Sequence, residues 1–198
     1  MQHILNIVKV YHQAGPGEIE AGLRWYRQAL EDCDRLAKGL PLSTVVGIVA
    51  ALSPGLRWER NIAAAERIIG RQGLEGLGVR WYDGARKAER IREGETPLDV
   101  LRGNKVRAFY HCILNPRSSE HVCIDGHAYA IWQGERTNLD ETPSLSDNLY
   151  LAIERDYRAA ADSLCVSAPQ LQAITWVCWR RLHSVNSAHY LPLFEEVG

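Results

Sequence analysis

Apolar residues recur along this chain with the period of a helix. Ile19, Leu23, Tyr26, Leu30, Cys33 and Leu36 step by three or four, which places them on one face of a long amphipathic helix. The same period links Leu145, Leu149, Ile153, Tyr157, Ala161 and Leu164, and again Leu171, Ile174, Val177 and Leu182. Met1 to Val10 mixes apolar residues with Asn6 and Lys9 and carries no small-residue cleavage site, so it reads as an amphipathic helix and not as a signal peptide. Helix starts are marked too. Ser144-Leu-Ser-Asp147 and Ser167-Ala-Pro-Gln170 have the spacing of capping boxes, and Thr96-Pro97 puts proline at a first helical position. Gly39, Gly70, Gly94, Gly103 and Gly134 fall where helices stop or turn, and Gly73 to Gly78 and Gln133 to Pro143 read as irregular links. No period-two run is long enough for a sheet. The pattern predicts an all-α chain of about nine or ten helices, one domain over residues 1–198 with two lobes.

Composition agrees with a packed domain. The chain has 198 residues, 46% hydrophobic and 24% charged, enough to bury a sizeable core and too apolar for a disordered chain. No window approaches the roughly 20 apolar residues of a membrane span. Cys33, Cys112, Cys123, Cys165 and Cys178 form an odd set without CxxC spacing, which points to reduced thiols and a cytoplasmic protein. His111, Cys112, His121, Cys123, Asp125 and His127 lie close in sequence, but their spacing matches no zinc pattern and there is no four-Cys run for an iron–sulfur cluster. We expect no metal and no other cofactor.

Charge changes the picture through its distribution. The net charge is only −1. Yet Pro54 to Arg117 holds thirteen Lys or Arg against eight Asp or Glu, while the rest holds ten against sixteen. A basic middle between acidic ends suits a phosphate-facing surface. It also fits solvated helix faces, since Arg86, Lys87 and Arg90 alternate with Asp83, Glu89 and Glu93 at helical spacing.

Two segments carry the candidate chemistry. Leu101-Arg102-Gly103-Asn104-Lys105-Val106-Arg107-Ala108-Phe109 reads as a Gly-centred turn opening a helix. Val122-Cys123-Ile124-Asp125-Gly126-His127 follows, an apolar run that delivers an Asp and a His at the mouth of the next helix. In this order they resemble the hairpin and catalytic-aspartate segments of the helix-hairpin-helix superfamily of DNA glycosylases. Ile48 to Pro54 followed by Trp58, Asn61 and Ala63 is similar to that family's segment beside the base pocket. The likeness covers roughly residues 43–133, with hairpin and catalytic segment at about 97–133 and the N- and C-terminal helices forming the other lobe. The turn keeps one glycine, Gly103, where the family usually carries two around an apolar residue, so metal-assisted phosphate binding is not carried over.

The resemblance implies a base-flipping enzyme and assigns roles. Cleavage of an N-glycosidic bond passes through an oxocarbenium-like state, and a carboxylate near the anomeric carbon stabilises it or activates water. Asp125 takes that role; read from the residues alone, it can equally be the N-cap of a helix. Gly103, Asn104, Lys105, Arg107 and His127 are the expected DNA contacts. Lys105 is either a phosphate contact or, as in strand-nicking relatives, an amine nucleophile; the monofunctional enzyme is the favoured reading. Ser53, Trp58, Asn61 and Trp132 are expected at the substrate, with Trp81 and Tyr82 near a wide pocket.

The short hairpin, small chain and many aromatics also resemble small superfamily members associated with phages and phage defence. Their targets imply a hypermodified pyrimidine such as glucosylated 5-hydroxymethylcytosine in double-stranded DNA. No obligate protein partner and no membrane are expected. Two alternatives stay open. One is a transferase on the same scaffold that builds modified thymines by displacing pyrophosphate; the other is a non-catalytic DNA-binding protein in which Asp125 only caps a helix.

Overall fold

The computed structural model describes residues 1–73, 82–136 and 143–183, and every regular element among them is a helix. The ten are α1 (Gln2–His12), α2 (Pro16–Leu36), α3 (Leu42–Leu52), α4 (Trp58–Ile69), α5 (Tyr82–Arg92), α6 (Pro97–Val100), α7 (Asn104–Leu114), α8 (Gly126–Gln133), α9 (Asp147–Ser163) and α10 (Ala168–Leu182). None is long and apolar enough to cross a membrane. Most of the two expected links, at 74–78 and at 137–142, lies outside the described residues, as do Trp81 and the Tyr82 side chain.

The chain divides into two compact units: Met1–Tyr26 with Asn115–Gly198, and Arg27–Leu114. The boundary falls inside α2 and again after α7, so the segment 97–133 is shared between the two.

In the first unit α1 packs on α8, α9 and α10, and α10 packs on α8 and α9. Ile7, Ile131, Ile153, Tyr157, Leu171 and Ile174 are fully buried. The expected face of α2 is buried at Tyr26, Cys33 and Leu36, but not throughout. Leu23 stays 37% exposed, while Ala21, Gly22 and Tyr26 are buried. Small residues face inward because α10 comes close: a Cβ on Gly22 would collide with the Ile174 backbone. Leu182, at the end of α10, is likewise 39% exposed.

In the second unit α3 is central, packed on α4, α5, α6 and α7. Its Val45 to Leu52 run is buried residue by residue, as a helix apolar all round must be. Gly47 lets α6 approach, since a Cβ there would sit 2.7 Å from Pro97.

Helix ends mostly follow the sequence. Ser167 and Gln170 form the expected box, and Thr96 precedes Pro97 at the start of α6. At α9 the cap is Ser146, not Ser144: its Oγ accepts from Leu149 N at 3.3 Å, and with Leu three residues on no reciprocal bond forms. After α4 the left-handed residue is Arg71 (φ 56°), while Gly70 has φ −78°.

Candidate functional site

The stretch from His121 to Asp125 is neither helix nor strand, yet Val122, Cys123 and Ile124 are buried. Buried backbone groups without a regular partner must be satisfied some other way. Here α9 supplies the partners. Val122 N donates to Glu154 Oε1 at 2.7 Å. The Tyr150 hydroxyl donates to Val122 O at 2.8 Å and accepts from Ile124 N at 3.0 Å. Glu154 is 4% exposed and has Arg158 Nη2 at 3.5 Å and His121 Nδ1 at 3.9 Å. Two α9 side chains one turn apart thus fix the segment that ends in Asp125.

Asp125 is half-buried and caps α8, its Oδ1 accepting from Ala128 N at 2.8 Å. Among the described residues no hydrogen bond reaches its other oxygen. A carboxylate at a helix start is favoured by the peptide dipoles. Behind the cap lies Tyr157, fully buried, whose hydroxyl donates to Ala128 O at 3.2 Å. Burial pushes the Tyr157 phenol well up and the Asp125 charge adds to this, while a hydrogen bond with Thr175 works the other way. The first turn of α8 is therefore pinned through Ala128 from both sides, by Asp125 and by Tyr157.

His127 sits in that same turn, half-buried, edge-on to Trp176 of α10 with ring centroids 6.3 Å apart. The Arg180 guanidinium lies over the same indole, 4.5 Å from its centroid. Arg180 is only 6% exposed. Neither Trp176 nor Arg180 is among the residues expected from the sequence. Their i, i+4 spacing on a capped helix was the available signal.

Trp132 lies seven residues down α8 from Asp125, about 10 Å along the axis at a 1.5 Å rise. Its indole stacks on His3 at 3.7 Å, its Nε1 donates to Asp156 Oδ2 at 2.9 Å, and its carbonyl accepts from Asn6 Nδ2 at 3.0 Å. These contacts seat α1 against α8.

The remaining expected residues belong to the second unit, in two groups. Ser53 and Asn61 gather at the C-terminal end of α3: Ser53 Oγ donates to Ala50 O at 2.9 Å and Asn61 Nδ2 to Val49 O at 3.1 Å. Both serve carbonyls of the last turn, where Ala50 O also accepts from Ser53 N at 3.3 Å. Asn61 is 2% exposed, and its Oδ1 accepts no hydrogen bond among the described residues. Trp58 opens α4 and donates Nε1 to Asp32 Oδ2 at 2.8 Å. Asp32 also accepts from Gln28 at 3.2 Å and pairs with Arg35. Next to it, burial and then the Asp32 charge push the Cys33 thiol up to about 12.

The second group is the turn from α6 to α7. Leu101 is fully buried, Arg102 and Gly103 are exposed, and Gly103 has φ +80°, a conformation that disfavours any side chain. Asn104 and Lys105 begin α7, and Lys105 and Arg107 are exposed. Arg107 is anchored by Nη2 to Leu98 O at 3.2 Å. Basic groups in water at a helix start suit contact with a phosphate chain. Among the described residues no group of three or more His, Cys, Asp or Glu is placed to hold a metal ion.

Residues 1–183 match the family described as Family of unknown function (DUF7178). No curated protein and no solved structure matches the chain.

Proposed function

The chain belongs to this family of unknown function, and we propose that it is a DNA glycosylase of the helix-hairpin-helix type. In this reading it extrudes a modified base from double-stranded DNA and excises it, leaving an abasic site. The supporting observation is Asp125: a half-buried carboxylate at the start of α8, delivered by a buried segment that Glu154 and Tyr150 fix through its backbone. Preorganised charge is what an oxocarbenium-like transition state rewards. The bond between the sugar C1′ and the base nitrogen breaks, a water oxygen bonds to C1′, and one water proton leaves with the base. The other proton stays on the oxygen as the new C1′ hydroxyl; Asp125 stabilises the cationic sugar, or takes the departing proton from water before it is passed to the base.

Gly103, Asn104, Lys105, Arg107 and His127 are assigned to the DNA backbone in this scheme, and Ser53, Trp58 and Asn61 to the base. Trp132 is given a structural part by its contacts with His3 and Asp156. Lys105 is a phosphate contact, and the enzyme is monofunctional. The substrate class we assign is a hypermodified pyrimidine, glucosylated 5-hydroxymethylcytosine foremost, with destruction of phage DNA as the purpose.

The experiment is to incubate the protein with matched duplexes carrying cytosine, hydroxymethylcytosine or glucosylated hydroxymethylcytosine and to score alkali-labile sites. Sites confined to one modified duplex support the reading and name the base. Strand breaks without alkali would make Lys105 the nucleophile. Absence of such sites on every duplex, repair lesions included, overturns it.

The cap made by Asp125 favours one second reading, a DNA-binding protein without catalysis. That reading predicts DNA binding, no abasic product and full function after Asp125→Asn, because Asn caps helices about as well.

A further inference from the structure

The first turn of α8 is a weak place to hold a carboxylate. The helix runs for eight residues, Gly126–Gln133, a length marginal by itself, and it opens on glycine, among the weakest helix formers. Asp125 is tied to that turn by one oxygen, through Ala128 N at 2.8 Å. Helix ends fray, and a turn that frays takes the carboxylate with it. Tyr157 of α9 opposes this from the other side of Ala128. Its side chain is fully buried, and its hydroxyl donates to Ala128 O at 3.2 Å. A carbonyl has two lone pairs, so it can accept this bond beside the one its own helix supplies. Phenylalanine would fill the same space without taking a hydroxyl out of water, so the hydroxyl is justified by its bonds. Burial pushes the Tyr157 phenol well up; a hydrogen bond with the fully buried Thr175 of α10 offsets part of this, and the Asp125 charge adds to it. The phenol therefore stays protonated across the neutral range, as a donor and not a base.

We propose that Tyr157 is a positioning residue for Asp125: its hydroxyl holds the first turn of α8 from the carbonyl side, so that the carboxylate keeps one direction at the reacting sugar. The proposal rests on the glycosylase reading for what Asp125 does, and on the two bonds at Ala128 for what Tyr157 does.

Tyr157→Phe removes the hydroxyl and keeps the ring. Amide hydrogen exchange is read residue by residue on the protein without DNA, at denaturant concentrations too low to unfold the chain. The Ala128 amide should exchange about tenfold faster in the variant, as the loss of one ordinary hydrogen bond allows. A residue that only adds stability would speed the core amides that exchange through global unfolding and leave the local opening at Ala128 as it was. On duplexes carrying glucosylated hydroxymethylcytosine, single-turnover excision should slow by about tenfold with DNA affinity unchanged. In an Asp125→Asn background Tyr157→Phe should slow excision no further, because both changes act through one carboxylate. 4-Aminophenylalanine at position 157 keeps a weaker donor in place; it gives a partial loss, and it serves where the Phe variant fails to fold.

Faster local exchange at Ala128 together with slower excision that vanishes in the Asp125→Asn background supports the proposal. If folded variants at 157 leave Ala128 exchange unchanged and excise at the wild-type rate, the proposal falls while the glycosylase stands. Equal slowing with and without the Asp125 carboxylate also overturns it. Faster exchange at Ala128 without abasic product on any duplex removes the glycosylase and leaves Tyr157 as the anchor of the Asp125 cap.

Discussion

The segment that ends in Asp125 and the turn that leads to Lys105 are held by opposite means. The first is buried, and its backbone is bonded to two polar side chains of α9. The second is exposed at Arg102 and Gly103 and is positioned by apolar packing on either side: Pro97 against Gly47, and Val100 and Leu101 in the core. Polar bonding to a buried backbone fixes direction as well as distance, as a reacting carboxylate requires. Apolar packing places an exposed turn well enough to meet a phosphate chain, where a long lysine adjusts. On the proposed function, the first is the part for chemistry and the second the part for grip.

The comparison breaks first at Glu154. Glu154→Ala leaves the Val122 N–H buried without its acceptor, a loss of about 1–3 kcal/mol, and base excision should fall further than stability alone explains. Glu154→Gln keeps an acceptor oxygen and should restore most of both; chemical denaturation beside single-turnover rates reads the two. On the other side, Gly47→Val drives methyl groups into Pro97 and should cost about 1–3 kcal/mol by overpacking. It should weaken DNA binding more than it slows bound substrate, which a KM-against-kcat split shows.

Tyr150→Phe is the finer probe, because it removes one hydroxyl that serves both Val122 O and Ile124 N. A stability loss of about 1–2 kcal/mol is expected, with kcat reduced and DNA affinity kept. The smallest effect on the fold belongs to Lys105→Ala, within about 0.5 kcal/mol of wild type for an exposed site. It should lower the salt slope of DNA binding by about 0.9, visible in titrations at several salt concentrations.

Acid titration gives a control away from both regions. Glu18, on α2, accepts two bonds from Arg181 at 2.7 and 3.0 Å and one from Gly15 N at 2.8 Å. Burial raises its pKa, but the Arg181 bond and then Gly15 and the Arg181 charge outweigh that and leave it below the usual 4.5. A depressed carboxylate contributes stability above its unfolded pKa and loses it as pH falls through the folded value. Arg181→Gln should therefore lower the neutral plateau and flatten the acid limb, its difference from wild type shrinking as pH falls below about 4.5.

What the sequence revealed follows the same division. Periodicity and caps exposed the all-helical architecture, because apolar faces and orphan amides leave local marks. On α2 the buried Tyr26, Cys33 and Leu36 were legible, while the burial of Gly22 was not, since it follows from closeness to Ile174 and not from hydrophobicity. Asp125 was legible as the residue at the mouth of α8. Its support was not: Glu154 and Tyr150 are 32 and 26 residues from their backbone partners. Ser53 and Asn61 drew notice as pocket residues, and the structure gives their donors to the end of α3. Trp132 was expected at the substrate; its indole stacks on His3, 129 residues away.

The most direct test of the central claim compares wild type with Asp125→Asn in single-turnover excision of glucosylated hydroxymethylcytosine, with thermal midpoints measured alongside. Asn keeps the cap and removes the charge, so the account predicts equal stability and a rate lower by about a hundredfold or more. Equal rates at equal stability would contradict it and leave Asp125 as a helix cap alone.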